Sequence, residues 1–532
     1  MTPAADDDAN APDAAAPPTR ARDGGARAGD AIGPAALALA FFALGVLASP
    51  DVGATADELE TLRAGQRNLE IVAAWVAGRP APAWSFHELT GYYFALDTLR
   101  ALAIRALAAA GLDDALRALH LAQLALASAT VFALARLARA AGASARGALF
   151  TALALATLPP FVAHAQNNPK DLPATFALVL AALALLRAAR GARPRDAVIA
   201  GLAIGLALTT RVHAVFGLAA AWLYAIAATE RPTRRHVAAH VVALAVGLGA
   251  ALAFWPWLWP APLERLTGAL HDVGTKVFTI PVLYLGRVLP ANEVPWHYRF
   301  VLLLASTPLS VLALVAAGIA AVRARGAPEG ARRAAVLGSL WCACYALAEA
   351  VVWSRYDGVR HFLVALPGVA LLAGAGADWA WERGRVGRVA ALAPFALAVA
   401  GVVAVHPYAN AFLNPVARLL ARGPTDATFE IEYWGQSYLE AARWLAKHAE
   451  PTAEVVVPQF AALAEHELDL PVREAGVREW RATDRPRYLV VMSRRAYWSP
   501  PLADVARTEA PVFEIRRSGG QLLAIYRNAA PR

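Results

Sequence analysis

Charge is scarce in this chain. Only 17% of its 532 residues are Asp, Glu, Lys or Arg, against roughly 25% in an average soluble domain, while 58% are hydrophobic. That balance excludes an ordinary soluble enzyme of this length, and a disordered or fibrous protein as well. Cysteine is nearly absent. Cys342 and Cys344 are the only two, spaced i,i+2 in an apolar run, so on a helix they point in different directions and form neither a disulfide nor a shared metal site. They read as small buried hydrophobes. Also missing are a Walker A glycine loop, a Gly-rich dinucleotide turn after a strand, an HExxH pair and a CxxC pair. A nucleotide-driven pump and a soluble-type nucleotide-sugar enzyme are therefore unsupported. No basic start followed at once by an apolar stretch marks a cleavable signal peptide. The first apolar stretch begins near Ile32 and reads as a retained span.

What is present is a series of apolar segments. A helical span needs about 20 predominantly apolar residues, and the chain offers about eleven such segments. They lie at approximately 32–50, 118–137, 147–163, 172–190, 196–210, 212–228, 236–256, 300–322, 333–352, 361–380 and 386–405. The pair at 196–228 is the weakest, being interrupted by Arg211 and His213. Arginines gather in alternate connectors: Arg136, Arg139 and Arg146; Arg187, Arg190, Arg193 and Arg195; Arg231, Arg234 and Arg235; Arg323, Arg325, Arg332 and Arg333; and Arg383, Arg385 and Arg388. The other short connectors hold only Lys170, Arg211, Arg355 and Arg360. The positive-inside rule places the Arg-rich connectors and the N-terminal tail in the cytoplasm, and an odd number of spans then places the C-terminus outside. The net charge of +9 is explained by these loops and calls for no nucleic acid.

The expected organisation is a disordered cytoplasmic tail at 1–31, rich in Ala, Asp and Pro; a transmembrane domain at 32–405 with outer loops 51–117 and 257–299; and an extracytoplasmic domain at 406–532. The first outer loop carries an amphipathic stretch from Leu59 to Val76. The second is rich in Trp and Pro, with Trp255, Trp257, Trp259 and Trp296 suited to a membrane interface. The tail returns to soluble composition. Its short β-rich runs (Glu454–Val457, Tyr488–Met492, Val512–Ile515, Leu522–Tyr526) alternate with helical pieces such as Tyr438–His448, the pattern of a small α/β domain. The halves show no repeat, which weighs against an inverted-repeat transporter.

Ionisable residues at the outer ends of spans are the candidates for chemistry, because they are costly at membrane depth. Asp57 and Glu58, in Thr55-Ala56-Asp57-Glu58-Leu59, place carboxylates just after the first span, where one can act as a general base. The same spacing serves as a helix start, with Thr55 or Asp57 as the cap and Glu58 in the first turn. His164-Ala165-Gln166-Asn167-Asn168-Pro169-Lys170-Asp171-Leu172-Pro173 puts amides, a cation and an acid in one outer turn. Lys170 can hold a phosphate and Asp171 can orient a donor or bind a metal; alternatively Asp171 caps the next span, with Pro173 in its first turn. Arg211 and His213, His297 and Arg299, and Trp353-Ser354-Arg355-Tyr356-Asp357-Gly358-Val359-Arg360-His361 add cations on the same face. They suit an anionic ligand at the lipid–water boundary, or lipid headgroup anchoring. Isolated histidines such as His120, His236 and His240 read as helix-end or interfacial groups.

An acidic pair in the first outer loop, about eleven spans and a folded outer C-terminal domain together resemble the GT-C membrane glycosyltransferases. The resemblance is strongest to family 39, the protein O-mannosyltransferases and lipid A aminoarabinose transferases with their bacterial relatives. Asp57-Glu58 is similar to the family's first-loop acidic motif and Lys170-Asp171 stands in the place of the second. His87-Glu88-Leu89-Thr90-Gly91-Tyr92-Tyr93-Phe94, Tyr356-Asp357-Gly358-Val359-Arg360-His361-Phe362 and Tyr433-Trp434-Gly435-Gln436-Ser437-Tyr438 look like a bacterial subgroup. The resemblance spans roughly 32–450. It implies a GT-C fold and an inner-membrane enzyme that takes a sugar from a polyprenyl-phosphate donor on the periplasmic face, with inversion, and passes it to a lipid, glycan or protein hydroxyl. Asp57 would be the base, with Glu58 and Asp171 the other acidic residues. Lys170, Arg211, Arg355, Arg360 and His361 would bind the donor phosphate. No cofactor is required by this pattern; a divalent metal is compatible with it, although no ligand cluster establishes one. A ligase for diphosphate-linked glycans would use the same cations, and a lipid or sugar transporter is the alternative without catalysis.

Overall fold

The computed structural model describes residues 28–82, 93–275, 278–350, 354–482 and 485–528. The tail 1–27 and most of the stretch from His87 to Phe94 lie outside the described residues, with Tyr93 and Phe94 inside; Trp353 lies outside as well. In chain order the helices of the membrane part are α1 (Ile32–Ala48), α2 (Ala56–Val76), α3 (Phe94–Ala109), α4 (Ala115–Ala140), α5 (Ala145–Thr157), α6 (Pro159–Ala163), α7 (Asp171–Gly191), α8 (Pro194–Thr210), α9 (Ala214–Ala227), α10 (Arg234–Phe254), α11 (Pro262–Thr275), α12 (Tyr298–Ser306), α13 (Leu309–Ala321), α14 (Glu329–Ala348), α15 (Leu366–Trp381) and α16 (Gly384–Val405). Ala, Leu and Val dominate those that match the expected spans. In lipid a helix is the form that satisfies every backbone group within the segment.

All eleven expected segments contain helix. By length and composition, however, six helices among the described residues suffice to cross a membrane, or seven if the bent pair α12–α13 counts as one. The chain is thus a multi-pass membrane protein, and the count of about eleven spans is not confirmed. The expected span at 300–322 is two helices bent by 115°. Pro308 has no N–H to give the helix, and Asn414 Nδ2 donates to the freed carbonyls of Leu304 (2.7 Å) and Thr307 (3.0 Å).

Ion pairs fix the two ends of the bundle. At one end, Arg139 meets Asp30 at 2.7 Å and Arg146 meets Asp378 at 2.7 Å, while Tyr224 donates to the Ala141 carbonyl at 2.5 Å. The alternate Arg-rich connectors therefore do share an end. The opposite end collects the α1–α2, α6–α7 and α8–α9 turns and the 354–365 segment. Helix α15 is the central post, buried along its length, and its glycines admit neighbours at backbone distance. A Cβ on Gly376 would stand 2.0 Å from the Leu314 carbonyl oxygen, and one on Gly318 would stand 2.0 Å from that of Leu372. Gly376→Val should therefore force α13 and α15 apart at a cost of about 1–3 kcal/mol. The check is the midpoint of thermal unfolding in detergent; an unchanged midpoint would refute this packing.

Beyond α16 come α17 (Pro415–Leu420) and α18 (Tyr438–His448), then β3 (Glu454–Val457), α19 (Ala461–Glu467), β4 (Val472–Glu474), α20 (Val477–Arg481), β5 (Arg487–Met492), α21 (Pro500–Thr508), β6 (Phe513–Arg517) and β7 (Gly520–Arg527). A hairpin of β1 (Pro281–Tyr284) and β2 (Arg287–Pro290) stands in the connection between α11 and α12. The tail's sheet has the order β4-β3-β5-β7-β6, with β4, β3 and β5 parallel and β7 antiparallel to both β5 and β6. Both faces are covered, so after Arg487 β5 reads as an apolar run from Tyr488 to Met492. Val456, Leu489 and Val491 face Trp480, Leu502 and Val505. Val455, Val457, Tyr488 and Val490 join a core that also holds Val282, Tyr298, Leu302 and Tyr408. The sheet is packed through that shared core onto the end of the bundle away from the Arg-rich connectors.

Candidate active site

The residue that opens α2 explains the acidic pair. Thr55 is in extended backbone, and Glu58 Oε2 accepts from its N–H at 2.8 Å, closing a capping box. The other oxygen, Glu58 Oε1, lies 2.9 Å from His120 Nε2, and neither side chain reaches solvent. Glu58 is thereby committed to the cap and to His120, which is a buried partner here and not the helix-end or interfacial group the sequence suggests. Thr55, rather than Asp57, is the cap residue. Asp57, one position earlier in the first turn than Glu58, points into a cluster of cations.

Asp57 Oδ1 is 3.1 Å from Lys170 Nζ, and Oδ2 contacts Arg360 Nη1. Lys170 also meets Glu60 at 2.8 Å, and Arg360 meets Asp357 at 2.6 Å. The guanidinium of Arg360 sits 4.7 Å from the Trp434 ring centre, a cation–π distance. Burial by itself pushes the Asp57 carboxyl up; Arg360 and then Lys170 outweigh it and hold it well below the usual carboxylate range. Burial likewise pulls the Lys170 ammonium down, and Asp57 with Glu60 more than restores it.

The turn bearing Lys170 is held carbonyl by carbonyl. Asn167 O accepts from Thr55 Oγ1 at 2.9 Å, Asn168 O from Gln123 Nε2 at 2.5 Å, and Pro169 O from Arg100. Asn168 Oδ1 takes the N–H of Asp171 at 2.8 Å, so Asn168 and not Asp171 caps α7. The Asp171 carboxylate is left for Arg211 at 2.6 Å and Asn168 Nδ2 at 3.2 Å. Its ion partner is Arg211, across the bundle, and not the adjacent Lys170. Arg211 and Tyr93 also meet, at 5.7 Å.

Arg355 and His361 belong to a neighbouring group. Glu349 bridges Arg299 (2.6 Å) and Arg355 (3.2 Å), and Arg355 spends its remaining donors on the carbonyls of Glu349 and Val294. His361 Nδ1 lies 3.5 Å from Arg299, with its ring edge-on to Tyr356. Lys170, Arg360 and Arg211 are thus gathered with Asp57 and Asp171, while Arg355 and His361 are engaged beside them. Among the described residues no group of three His, Cys, Asp or Glu is arranged to hold a metal.

Two contributors were not assigned a role from sequence. Asp357, inside a quoted stretch, adopts φ +54, a left-handed conformation that Asp tolerates better than most side chains. Arg494 comes from the end of β5 and meets Asp357 at 2.5 Å; an arginine after a strand carries no local signal. The Tyr433–Gln436 stretch closes the site from the C-terminal side: Trp434 O accepts from the Ala56 N–H at 3.2 Å and Gln436 Oε1 from Asn167 Nδ2 at 3.2 Å.

Chemically the cluster offers two cations, Lys170 half-buried and Arg360 buried, facing one carboxylate at one end of the bundle, an arrangement that can receive a phosphate beside a base. Residues 101–259 match the family model described as dolichyl-phosphate-mannose-protein mannosyltransferase, which bears out the resemblance read from the sequence; the matched segment holds Lys170, Asp171 and Arg211. Among solved structures the chain is similar to ArnT from Cupriavidus metallidurans bound to undecaprenyl phosphate (TM-score 0.49, 16% identity, 93% of this chain and 98% of that one). It is also similar to the arabinofuranosyltransferase AftD from Mycobacteria (0.45, 18%, 86% and 35%) and to the Archaeoglobus fulgidus oligosaccharyltransferase in the apo form (0.45, 12%, 92% and 74%). No curated protein matches the sequence.

Proposed function

We propose that this chain is an inverting membrane glycosyltransferase that moves a sugar from a polyprenyl-phosphate donor to an acceptor hydroxyl on the extracytoplasmic face of a bacterial inner membrane. The observation that carries the reading is Asp57 clasped by Lys170 and Arg360 at the end of the bundle away from the Arg-rich connectors. The family match across Lys170, Asp171 and Arg211 supports it independently.

The steps follow from the charges. The donor's phosphodiester takes the place of Asp57 between Lys170 and Arg360. Released from its cations, the Asp57 carboxylate regains basicity and accepts the proton of the acceptor hydroxyl. The acceptor oxygen forms a bond to the anomeric carbon from the face opposite the phosphate, and the anomeric C–O bond breaks with its electron pair left on the phosphate oxygen. Lys170 and Arg360 stabilise the resulting dianion, as charges aimed at where negative charge develops. Asp171 fixes Arg211 within reach of the same phosphate. Glu58, capped against Thr55 and His120, positions the start of α2.

The test is purified protein in lipid with a panel of polyprenyl-phosphate sugars, with and without a membrane extract as acceptor source, followed by release of free polyprenyl phosphate. Acceptor-dependent release from one donor, lost in Arg360→Ala, is expected. Release only from a diphosphate-linked glycan would identify a ligase. No release, accompanied by lipid movement between leaflets of the same vesicles, would identify a transporter.

A further inference from the structure

We propose that Arg494, supplied by the C-terminal sheet, is a positioning residue of the transfer site: it holds Asp357, and through it sets the orientation of Arg360. The inference rests on the glycosyltransferase reading above. Its physical basis is an alternating chain of charges that runs from α2 to the sheet. Asp57 contacts Arg360, Arg360 Nη2 lies 2.6 Å from Asp357 Oδ2, and Asp357 Oδ1 lies 2.5 Å from Arg494 Nη2. Glu430 Oε1 follows at 3.9 Å from Arg494 Nε.

Arg494 is held inside the protein, its side chain being 6% exposed. Its other contacts fix it as a rigid anchor: Nη1 donates to the Tyr433 carbonyl at 3.1 Å, and the guanidinium lies 4.5 Å from the Tyr497 ring centre. A buried guanidinium is tolerated only where its donors are matched in geometry, and here the match is a carboxylate shared between two arginines. Each Asp357 oxygen serves one guanidinium. Arg360 therefore makes a single contact to Asp357 and keeps Nη1 turned toward Asp57 and the place of the phosphate. Without Arg494 both Asp357 oxygens are free to take Arg360 bidentately, a geometry arginine favours with carboxylates. That draws Arg360 away from the phosphate.

This predicts a donor-specific defect. With the polyprenyl-phosphate sugar identified by the panel, Arg494→Gln in the full-length protein should raise the donor KM about tenfold and leave the acceptor KM unchanged. Arg494→Lys retains the charge but loses the planar fork, and should fall between wild type and Arg494→Gln. A residue that only stabilises the fold would lower the amount of active enzyme, and so kcat, with the donor KM unmoved. That result, in either variant, overturns the assignment. Should Arg494→Gln not fold, Arg494→Lys carries the decision, together with Asp357→Asn, which breaks the same link from the other side and should raise the donor KM likewise. Active wild type with unaltered variants defeats this inference alone. A wild type inactive on every donor defeats the transferase reading, and the assignment falls with it.

Discussion

Asp57→Asn should bind a polyprenyl monophosphate more tightly than wild type while transferring sugar far more slowly. In the resting site the carboxylate occupies the cations that the donor phosphate needs, with Oδ1 on Lys170 and Oδ2 on Arg360. An ion pair at such distances is worth roughly 4 kcal/mol at an effective dielectric near 20, before desolvation is subtracted. The amide keeps the shape, removes the competing charge and leaves Lys170 and Arg360 with Glu60 and Asp357. Affinity for undecaprenyl phosphate, measured with protein in nanodiscs, should rise on the order of tenfold. Turnover should fall by roughly 10²–10⁴, the usual share of a general base. Equal loss of binding and turnover would mean that Asp57 helps to hold the phosphate and would remove the exchange step from the mechanism. The pH dependence should move as well. Free enzyme holds the Asp57 carboxyl below its ordinary range, so the acidic limb of the kcat profile, which reports the donor complex, should lie at higher pH than that of kcat/KM for the donor.

The second large effect is on stability. Glu430 and Glu432 are buried where the sheet meets the bundle, and burial pushes each carboxyl up to about 7 from 4.5. Arg494 pulls Glu430 the other way, and the N–H groups of Gly435 and Trp434 do so for Glu432, without overcoming the burial. The sign follows from proton uptake. Between pH 4.5 and 7 the folded state keeps protons that the unfolded chain has released, so rising pH favours unfolding. The stability tied to these protons is complete below about 4.5 and gone above about 7. A shift of this size corresponds to about 3 kcal/mol per group, an order-of-magnitude figure. The thermal midpoint in detergent should therefore fall as pH rises from about 4.5 to about 7, and Glu430→Gln with Glu432→Gln should flatten the fall. A double variant with the wild-type slope would show that other groups set it.

How much of this was legible beforehand varied with the kind of signal. The apolar segments were, because long stretches dominated by Ala, Leu and Val leave little choice. So were β3 and α18, found at Glu454–Val457 and Tyr438–His448 as read from their patterns. Strand β4, Val472–Glu474, was not: it is three residues long with two of them charged. The prolines Pro281 and Pro290, paired at the open end of the β1–β2 ladder, concealed the hairpin. In the site, local spacing identified Asp57 and Lys170 as candidates but could not separate Asp57 from Glu58. The capping box and His120 make that separation, and His120 lies sixty residues away in α4. Arg494 was beyond reach for the same reason, since its meaning comes from Asp357, 137 residues earlier.

The join between the α1–α2 turn and the C-terminal part bears on how the protein is made. The Ala54 N–H donates to Glu467, 413 residues later, and a Cβ on Gly53 would stand 2.2 Å from the Gln436 carbonyl oxygen. The loop that carries Asp57 leaves the ribosome 413 residues before the Glu467 that supports it. At roughly 5–20 residues per second the interval is tens of seconds. The seat of α2 is therefore a long-range product of folding: closing it joins segments hundreds of residues apart, a slow kind of contact to form, so the cluster around Asp57 is assembled only after both segments exist.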